Sequence, residues 1–259
     1  MVDNASTDGS SEFVREAFPG VRLLPLDDNV GFGGACNAGI ERTSTPLVLI
    51  LNPDAWPVDD GVEELERCML SRPMLGAAAP QLESPRGEPQ QTLVGLPSPW
   101  WPGRPAISSS PVRAASLPVR RRPRRRFVVG AALVLRREAL EHVGAFDPGY
   151  FMFYEEVDLC WRLQDAGWEV DLCPSARFVH VGGTSTRPRW ERMYREQLRG
   201  HLRFLSKRDG PATAVRARRY LRWVVRLRMG LALREADRRV YRAAAEWLDS
   251  EEARSVSGG

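Results

Sequence analysis

The chain has 259 residues, 43% of them hydrophobic, which is enough to bury a core in a chain of this length. The net charge is only +4, no run of about 18 apolar residues occurs, and the four cysteines form no CxxC pair. These features exclude a membrane-spanning helix and paired zinc-site spacing. With no secretory signal at the start, we expect a reduced cytoplasmic protein whose cysteines are small buried hydrophobes.

The first 80 residues alternate short apolar runs with helical patterns. Residues 21–26 (VRLLPL) and 46–51 (PLVLIL) are predicted strands, while 33–42 and 58–70 have the spacing of helices. Strand, helix, strand, helix indicates an α/β domain whose strands pair in parallel through right-handed crossovers.

Residues 83–126 differ from the rest in being rich in Pro, Ser, Gly and Arg. We expect a long loop or a disordered insertion here. Its Trp100-Trp101 pair could stack on a sugar ring, as in a lid or acceptor-binding segment. A variable linker is an equal alternative.

Regular secondary structure is predicted to resume at Phe127. The later predicted elements are strand 127–135, helix 137–143, helix 155–166 and strand 168–173. From Arg187 onward the pattern is helical and basic, and Pro211 divides it into two helices.

Positive charge is concentrated late in the chain. Residues 177–242 contain 19 Lys and Arg against 5 Asp and Glu, and a second basic block spans residues 120–126. Such blocks are commonly solvated faces. The alternative is attraction to phosphates, nucleic acid or an anionic membrane surface. The sequence contains no recognised nucleic-acid motif, which argues against nucleic acid.

Three sequence features with carboxylate or imidazole side chains indicate a metal-binding or catalytic site. Asn52-Pro53-Asp54 directly follows the predicted strand 46–51, so its carboxylate would point into the crevice at the carboxyl end of a sheet, where it could bind Mg²⁺ or Mn²⁺ on a diphosphate. Taken alone, it is also an ordinary turn sequence.

Glu155, Glu156 and Asp158 crowd the first turn of a predicted helix. Favourable interaction with the helix dipole explains such acids in general. Here the very aromatic segment 146–154 (FDPGYFMFY) precedes them, and it would desolvate a carboxylate and raise its pKa toward that of a general base.

His180 ends an apolar run and precedes two glycines, which allow a backbone to approach phosphates closely. A lone histidine is more often structural, but a neutral imidazole in this place could bind a metal.

In combination, five segments resemble glycosyltransferase family 2, especially its rhamnosyltransferase-like members. They are VDNASTDGS (2–10), NVGFGGACNAGI (29–40), LILNPDAWP (49–57), GAFDPGYFMFYEEVDLCWRLQDAGW (144–168) and FVHVGGTST (178–186). The resemblance implies an α/β GT-A fold, a nucleotide-sugar-binding sandwich with a mostly parallel central sheet. The catalytic domain would span residues 1–186, followed by a basic helical extension at 187–249 and a disordered tail at 250–259.

The resemblance also implies roles for individual residues. Asp3 would contact the nucleotide base, and Asn29, Gly31 and Asn37 would line the nucleotide pocket. Asn52 and Asp54 match the ends of the family's Asp-x-Asp motif, with Asp54 and His180 binding the metal. Glu155-Glu156 matches the family's Glu-Asp, whose second member is the catalytic base. Glu156 would take that role with one extra methylene, and Asp158 is the next candidate.

The implied function is inverting transfer of a sugar from a nucleotide-sugar donor to a glycan or lipid-linked acceptor of the cell envelope. The resemblance leaves the sugar open among rhamnose, galactofuranose, glucose and N-acetylglucosamine. The enzyme would be cytoplasmic, or peripheral on the inner face of the cell membrane. Because Met1 stands immediately before the Val-Asp-Asn motif, we expect the family's first strand and helix to be missing. An inactive fragment, or a basic protein that binds nucleic acid or membranes, remains the alternative.

Overall fold

The computed structural model describes residues 1–100, 125–182 and 190–258, which form two compact units. Of these residues, the first unit contains 1–96, 125–151 and 155–181, and the second contains 97–100, 152–154, 182 and 190–258. Trp101 and most of the basic block at 120–126 lie outside the described residues, so the expectations placed on them stay predictions.

The amino-terminal part of the first unit is a short parallel pair of strands with two helices. Strand β1 (Val2–Asp3) pairs with β2 (Leu24–Pro25), helix α1 (Ser10–Ala17) connects them, and α2 (Gly31–Glu41) follows. The predicted strand 21–26 is therefore only two residues long. Val21 and the residues just before it are exposed, so the start of the apolar run has no partner surface to pack against.

The rest of the first unit is built on a five-stranded sheet. In chain order its elements are β3 (Leu47–Leu51), β4 (Ala55–Pro57), α3 (Gly61–Ser71), β5 (Leu75–Glu83), β6 (Leu93–Gly95), β7 (Arg126–Val128), β8 (Ala132–Arg136), α4 (Arg137–Val143), α5 (Glu155–Asp165) and β9 (Glu169–His180). The strand order is β3-β8-β5-β9-β4.

The sheet is mixed, which corrects the expected mostly parallel arrangement. Strands β5 and β9 pair in parallel, whereas β3–β8, β5–β8 and β4–β9 are antiparallel. Strand β4 follows β3 after only three residues, a connection too short for the helical crossover that parallel strands require.

The central strands are buried on both faces. Within β5, Ala77 and Ala79 belong to the core cluster on one face, and Ala78 and Leu82 belong to the cluster on the other. This assignment follows from the period of two, which turns successive side chains to opposite faces. It also explains why these strands are continuous apolar runs in the sequence.

The predicted single strand 127–135 is two strands in different sheets. Strand β7 pairs with β6 in a small antiparallel sheet, while β8 joins the central sheet. The same pairing corrects the prediction of a loop for 83–126, since β6 lies inside that range. Hydrophobic periodicity does not mark the break, because residues before and after it are both apolar and both contact the core.

The described residues of the second unit are mainly helical. The helices are α6 (Trp190–Asp209), α7 (Pro211–Leu231), α8 (Glu235–Asp249) and α9 (Glu251–Val256). Gly210, at a φ of 87°, and Pro211 separate α6 from α7, as the sequence predicts. The sequence predicts one helix after Pro211, whereas the structure has three, α7, α8 and α9. No helix in the described ranges is both long enough and apolar enough to cross a membrane.

The predicted disordered tail at 250–259 is wrong for residues 251–256, which form α9. The Ser250 hydroxyl accepts a hydrogen bond from the Ala253 amide at 3.3 Å, and Glu251 and Glu252 follow it in the first turn. Ala253 is fully buried in the core cluster of the helical unit. A capped start, favourable charges and one buried contact are therefore what order this segment.

Two cysteines are joined, contrary to the expectation that all four are free. Cys68 of α3 and Cys173 of β9 form a disulfide across 105 residues, while Cys36 and Cys160 are free thiols. Sequence spacing could not indicate the bond, because the α3–β9 packing alone brings the two residues together.

Candidate active site

Several strand ends meet at one edge of the central sheet. Strands β3, β5 and β9 finish there, and the reversed strands β4 and β8 begin there, as the pairs Leu51–Ala132, Glu83–Val179 and Ala55–His180 show. The turn between β3 and β4 therefore lies at the same edge as the end of β9. Asn52, Asp54 and His180 lie at this edge.

Asp54 and His180 are brought together at this edge. His180 pairs with Ala55 across β4 and β9, and the Val181 amide donates to the Asp54 carbonyl at 3.0 Å. These backbone bonds place the Asp54 carboxylate 3.7 Å from His180 Nε2. The side chains are largely buried, and burial lowers the pKa of His180 although Asp54 opposes the shift.

Gln90 fixes the protonation of His180. The Gln90 side-chain amide donates to the His180 carbonyl at 2.8 Å, which turns its oxygen toward His180 Nδ1 at 3.1 Å. The Nδ1 atom must therefore carry the proton of the neutral ring. Nε2 then has a lone pair, and it faces a carboxylate oxygen of Asp54 at 3.7 Å. Two such acceptors suit a divalent cation, so these residues fit the expected metal.

Glu155 and Glu156 open helix α5 in different environments. Glu155 is 4% exposed, and burial raises its pKa well above the usual range, with nearby Glu156 raising it further. Burial together with the Glu155 carboxylate also raises the pKa of the Cys36 thiol to about 12. Glu156 is only half-buried. Of the pair, Glu156 is thus the less buried residue, although its Oε2 atom is buried like that of Glu155.

Contacts connect the acidic pair to the same edge of the sheet. The Asn52 amide donates to the Ala131 carbonyl at 2.9 Å, just before β8. A methyl group on the neighbouring Gly130 would lie 3.9 Å from Glu156 Cβ and 3.6 Å from the Phe32 ring. Glu156 therefore lies beside the segment that contains Gly130 and Ala131, which Asn52 contacts. Asn52 is itself two residues before Asp54 in the chain.

Asp158 points into the protein interior. Its carboxylate is 0% exposed, accepts from Arg162 Nε at 2.7 Å and lies 3.4 Å from the Tyr150 hydroxyl. Arg162 in turn donates to the carbonyls of residues 143–145, at the end of α4. This geometry favours a structural role for Asp158 and leaves Glu156 as the candidate base.

Asn29 and Gly31 belong to a network at the start of α2. Asn4, which follows β1, donates to the Asn29 side chain at 3.1 Å and to the Gly31 carbonyl at 3.0 Å, and it accepts from the Val30 amide. Gly31 has a φ of 80°, and a methyl group there would lie 2.2 Å from the Phe151 carbonyl oxygen. Only glycine fits this approach without strain.

Two residues expected near the nucleotide make internal contacts. Asp3 is buried and accepts hydrogen bonds from the Ser11 hydroxyl and the Ser6 amide, which hold the pKa of its carboxyl below the usual range. Asn37 exchanges two hydrogen bonds with the Phe146 backbone at 2.8 and 3.0 Å. Both residues shape the loops around the candidate site.

The aromatic approach to Glu155 is partly buried and partly strained. Phe146, Tyr150 and Tyr154 are in the core, so they are not an open wall for a sugar. Phe153 and Tyr154 have positive φ angles of 68° and 74°, which bulky side chains rarely adopt. The Tyr154 hydroxyl lies 2.9 Å from Nδ1 of buried His201, and this contact helps to hold the strained backbone.

Comparison with known proteins agrees with this architecture. A mannosyltransferase from Pyrobaculum calidifontis, solved with GDP-Man and Mn²⁺, superposes with a TM-score of 0.52 at 16% identity, over 96% of this chain and 77% of its own. The structure of GalNAc-T7 with UDP, GalNAc and Mn²⁺ gives a TM-score of 0.52 at 12% identity, over 79% of this chain and 40% of its own. At these identities the likeness shows the fold alone. The fold is the GT-A fold that the family resemblance implies.

The sequence comparisons identify the family. Residues 1–144 match the Glycosyl transferase family 2 model. An N-acetylglucosaminyl-diphospho-decaprenol L-rhamnosyltransferase of Mycobacterium tuberculosis is 32% identical over 208 residues, covering 72% of this chain and 67% of that protein. Rhamnosyltransferase WbbL of Escherichia coli is 30% identical over 79 residues, 30% of each chain. The chain therefore belongs to glycosyltransferase family 2 and is a glycosyltransferase.

Proposed function

We propose that this enzyme transfers L-rhamnose from a nucleotide-linked donor to a lipid-linked acceptor, with inversion at the sugar's anomeric carbon. The observation that supports the proposal is the Asn52 contact with Ala131, which connects the turn that contains Asp54 to the segment beside Glu156. The sugar and the acceptor are inferred from the mycobacterial relative, an N-acetylglucosaminyl-diphospho-decaprenol L-rhamnosyltransferase.

Glu156 is the proposed general base. It is half-buried beside Gly130, whereas Glu155 is buried and its raised pKa favours the protonated, neutral form. A neutral Glu155 lets its neighbour remain a carboxylate, because two adjacent buried charges would repel. Glu156 can then accept a proton from an acceptor hydroxyl.

Asp54 and His180 are the proposed holders of Mg²⁺ or Mn²⁺. The carboxylate oxygen and the imidazole Nε2 face each other, and Gln90 keeps the ring in the tautomer that offers a lone pair. When bound, the cation would offset negative charge on the departing diphosphate. The structures that contain Mn²⁺ in other glycosyltransferases are consistent with this assignment.

The reaction is a single displacement. The acceptor oxygen forms a bond to the anomeric carbon as the bond from that carbon to the diphosphate oxygen breaks. The hydroxyl proton passes to Glu156, and a nucleoside diphosphate leaves. Asn4 orders the start of α2 through Asn29, and we place the nucleotide near this network. A lipid-linked acceptor would place the reaction at the inner face of a membrane.

Glu156→Gln tests the base assignment. We expect turnover to fall about 10²–10⁴-fold, since the amide cannot accept the proton, while affinity for the donor changes little. Release of nucleoside diphosphate is followed with an N-acetylglucosaminyl-diphospho-lipid acceptor, with and without Mn²⁺, using nucleotide-linked rhamnose, galactofuranose, glucose and N-acetylglucosamine.

Glu138→Gln, an exposed carboxylate of α4, is the matched control and keeps wild-type turnover. Equal turnover of the Glu156→Gln variant would remove that residue from the role. Transfer from another donor in preference to rhamnose would overturn the sugar assignment and leave the base assignment standing.

A further inference from the structure

One face of helix α7, its inner face, packs into the core of the helical unit. Ala214, Ala217, Leu221 and Val225 are buried and belong to the core cluster of the helical unit. These residues recur at three- and four-residue spacing, so they form one stripe along the helix. The residues on the outer side of α7 are not needed for this core.

The outer side of α7 nevertheless exposes large apolar side chains. Trp223, Leu227 and Leu231 are 62%, 47% and 70% exposed, and their four-residue spacing places them in one row. Leu233, two residues beyond the end of the helix, is 98% exposed. Single exposed apolar residues are ordinary, but a continuous row indicates an interaction surface.

The same side of the helix is strongly positive. Helix α7 contains six arginines and no acidic residue. Arg219, Arg222 and Arg226 line one depression together with Trp223 and Leu227. Arg222 and Arg226 share the single carboxylate of Asp249, which leaves an excess of positive charge. We call Arg219, Trp223, Arg226, Leu227 and Leu231 the α7 outer face.

We propose that the α7 outer face binds the surface of a membrane that contains anionic phospholipid. The apolar row would enter the boundary between headgroups and acyl chains, and the arginines beside it would contact phosphate groups. A nucleic acid would account for the arginines but not for the leucines. The proposal concerns residues that have no role in the proposed transfer chemistry, and its test does not depend on activity.

Co-sedimentation of the full-length chain with vesicles tests the proposal. Wild type binds vesicles of phosphatidylcholine with phosphatidylglycerol and binds pure phosphatidylcholine vesicles much more weakly. The Trp223→Ser/Leu227→Ser/Leu231→Ser variant loses at least about tenfold in vesicle affinity, because no apolar row remains to insert. The Arg219→Gln variant loses about fivefold in vesicle affinity. This loss is smaller at high salt, where charges are screened.

The control is Phe13→Ser/Phe18→Ser, which removes two exposed aromatic side chains from α1 and its end. It keeps wild-type vesicle binding. All variants are compared by circular dichroism and thermal unfolding, so that loss of structure is recognised. Equal binding by the wild type and the triple variant, or equal binding to neutral and anionic vesicles, overturns the proposal.

Insertion is measured separately by quenching of tryptophan fluorescence with brominated phospholipids. Trp223→Phe keeps vesicle binding but loses part of the quenching, because the replaced ring is the one that enters the lipid. Unchanged quenching in this variant contradicts insertion at the α7 outer face.

Other occupants give different outcomes. A dimer in sedimentation velocity that the triple variant abolishes, without vesicle binding by wild type, assigns the face to a second copy. Vesicle binding that appears only when residues 101–124 are deleted assigns the α7 outer face to that segment. Salt-sensitive binding to duplex DNA in place of vesicles assigns it to nucleic acid. Each of these results overturns the membrane proposal.

Discussion

Replacing Gly31 with alanine tests the close approach between α2 and the segment before the acidic pair. The residue has a φ of 80°, and an added methyl group would lie 2.2 Å from the Phe151 carbonyl oxygen. That oxygen also accepts a hydrogen bond from the Phe32 amide at 2.9 Å. The methyl group cannot be accommodated unless the Phe151 backbone moves by about 1 Å, to ordinary contact distance.

The size of the effect can be estimated from these contacts. The left-handed conformation costs alanine about 1–2 kcal/mol, and loss of the Phe32 hydrogen bond costs about 1 kcal/mol. With some repacking around Phe151, the free energy of unfolding falls by roughly 3 kcal/mol. For a chain of this size, that corresponds to a decrease in Tm of roughly 6–12 °C.

Two other glycines separate the contributions. Gly9 has a φ of 83° with no atom within 4 Å of the added methyl, so Gly9→Ala measures the backbone cost alone, about 1–2 kcal/mol. Gly20 has neither a positive φ nor a close neighbour, so Gly20→Ala leaves the Tm unchanged or slightly higher. Thermal unfolding by circular dichroism compares the three. If Gly31→Ala unfolds at the temperature of Gly9→Ala, the reasoning about the close approach is refuted.

Two further predictions concern the disulfide and the metal. Reducing the Cys68–Cys173 bond lowers the free energy of unfolding by up to about 4.7 kcal/mol, since it closes a loop of roughly 100 residues. Thermal unfolding with a phosphine reductant shows this loss in wild type and in Cys36→Ser but not in Cys68→Ser/Cys173→Ser, and an unaffected wild type contradicts it. Gln90→Leu weakens Mn²⁺ binding about 10–100-fold by calorimetry, because nothing then fixes the tautomer of His180. Unchanged affinity in that variant would refute the role given to the amide.

The fold was largely accessible from the sequence where one physical signal dominated. Residues 47–51, 137–143 and 155–165 lie within one or two residues of their predicted bounds, because apolar spacing and a terminating glycine or turn agree there. The antiparallel directions of β8, between β3 and β5, and of β4, at the end of the strand order, were not accessible. A run buried on both faces, such as β8, has the same composition whether its neighbours run parallel or antiparallel.

The candidate site was accessible in part for a similar reason. Asp54, Glu156 and His180 stand at strand and helix ends, which local patterns identify. Gln90 contacts His180 across 90 positions and lies in a segment whose composition indicated a loop, so no local signal assigned it a role. Asn4 was part of a recognised motif, but its bonds to Asn29 and Gly31 depend on the packing of β1 beside α2.

The pairing of β4 with β9 has a consequence for how tightly a cation could be held. Peptide hydrogen bonds, and not the choice of side-chain rotamers, set the positions of the Asp54 and His180 backbones, since Ala55 lies opposite His180 and Val181 bonds to Asp54. Binding of a cation therefore requires little further ordering of the main chain. The conformational entropy lost on binding is that of two short side chains. Inserting a single residue into β9 would turn His180 to the opposite side of the sheet and away from Asp54, so the length of this strand is as constrained as its chemistry.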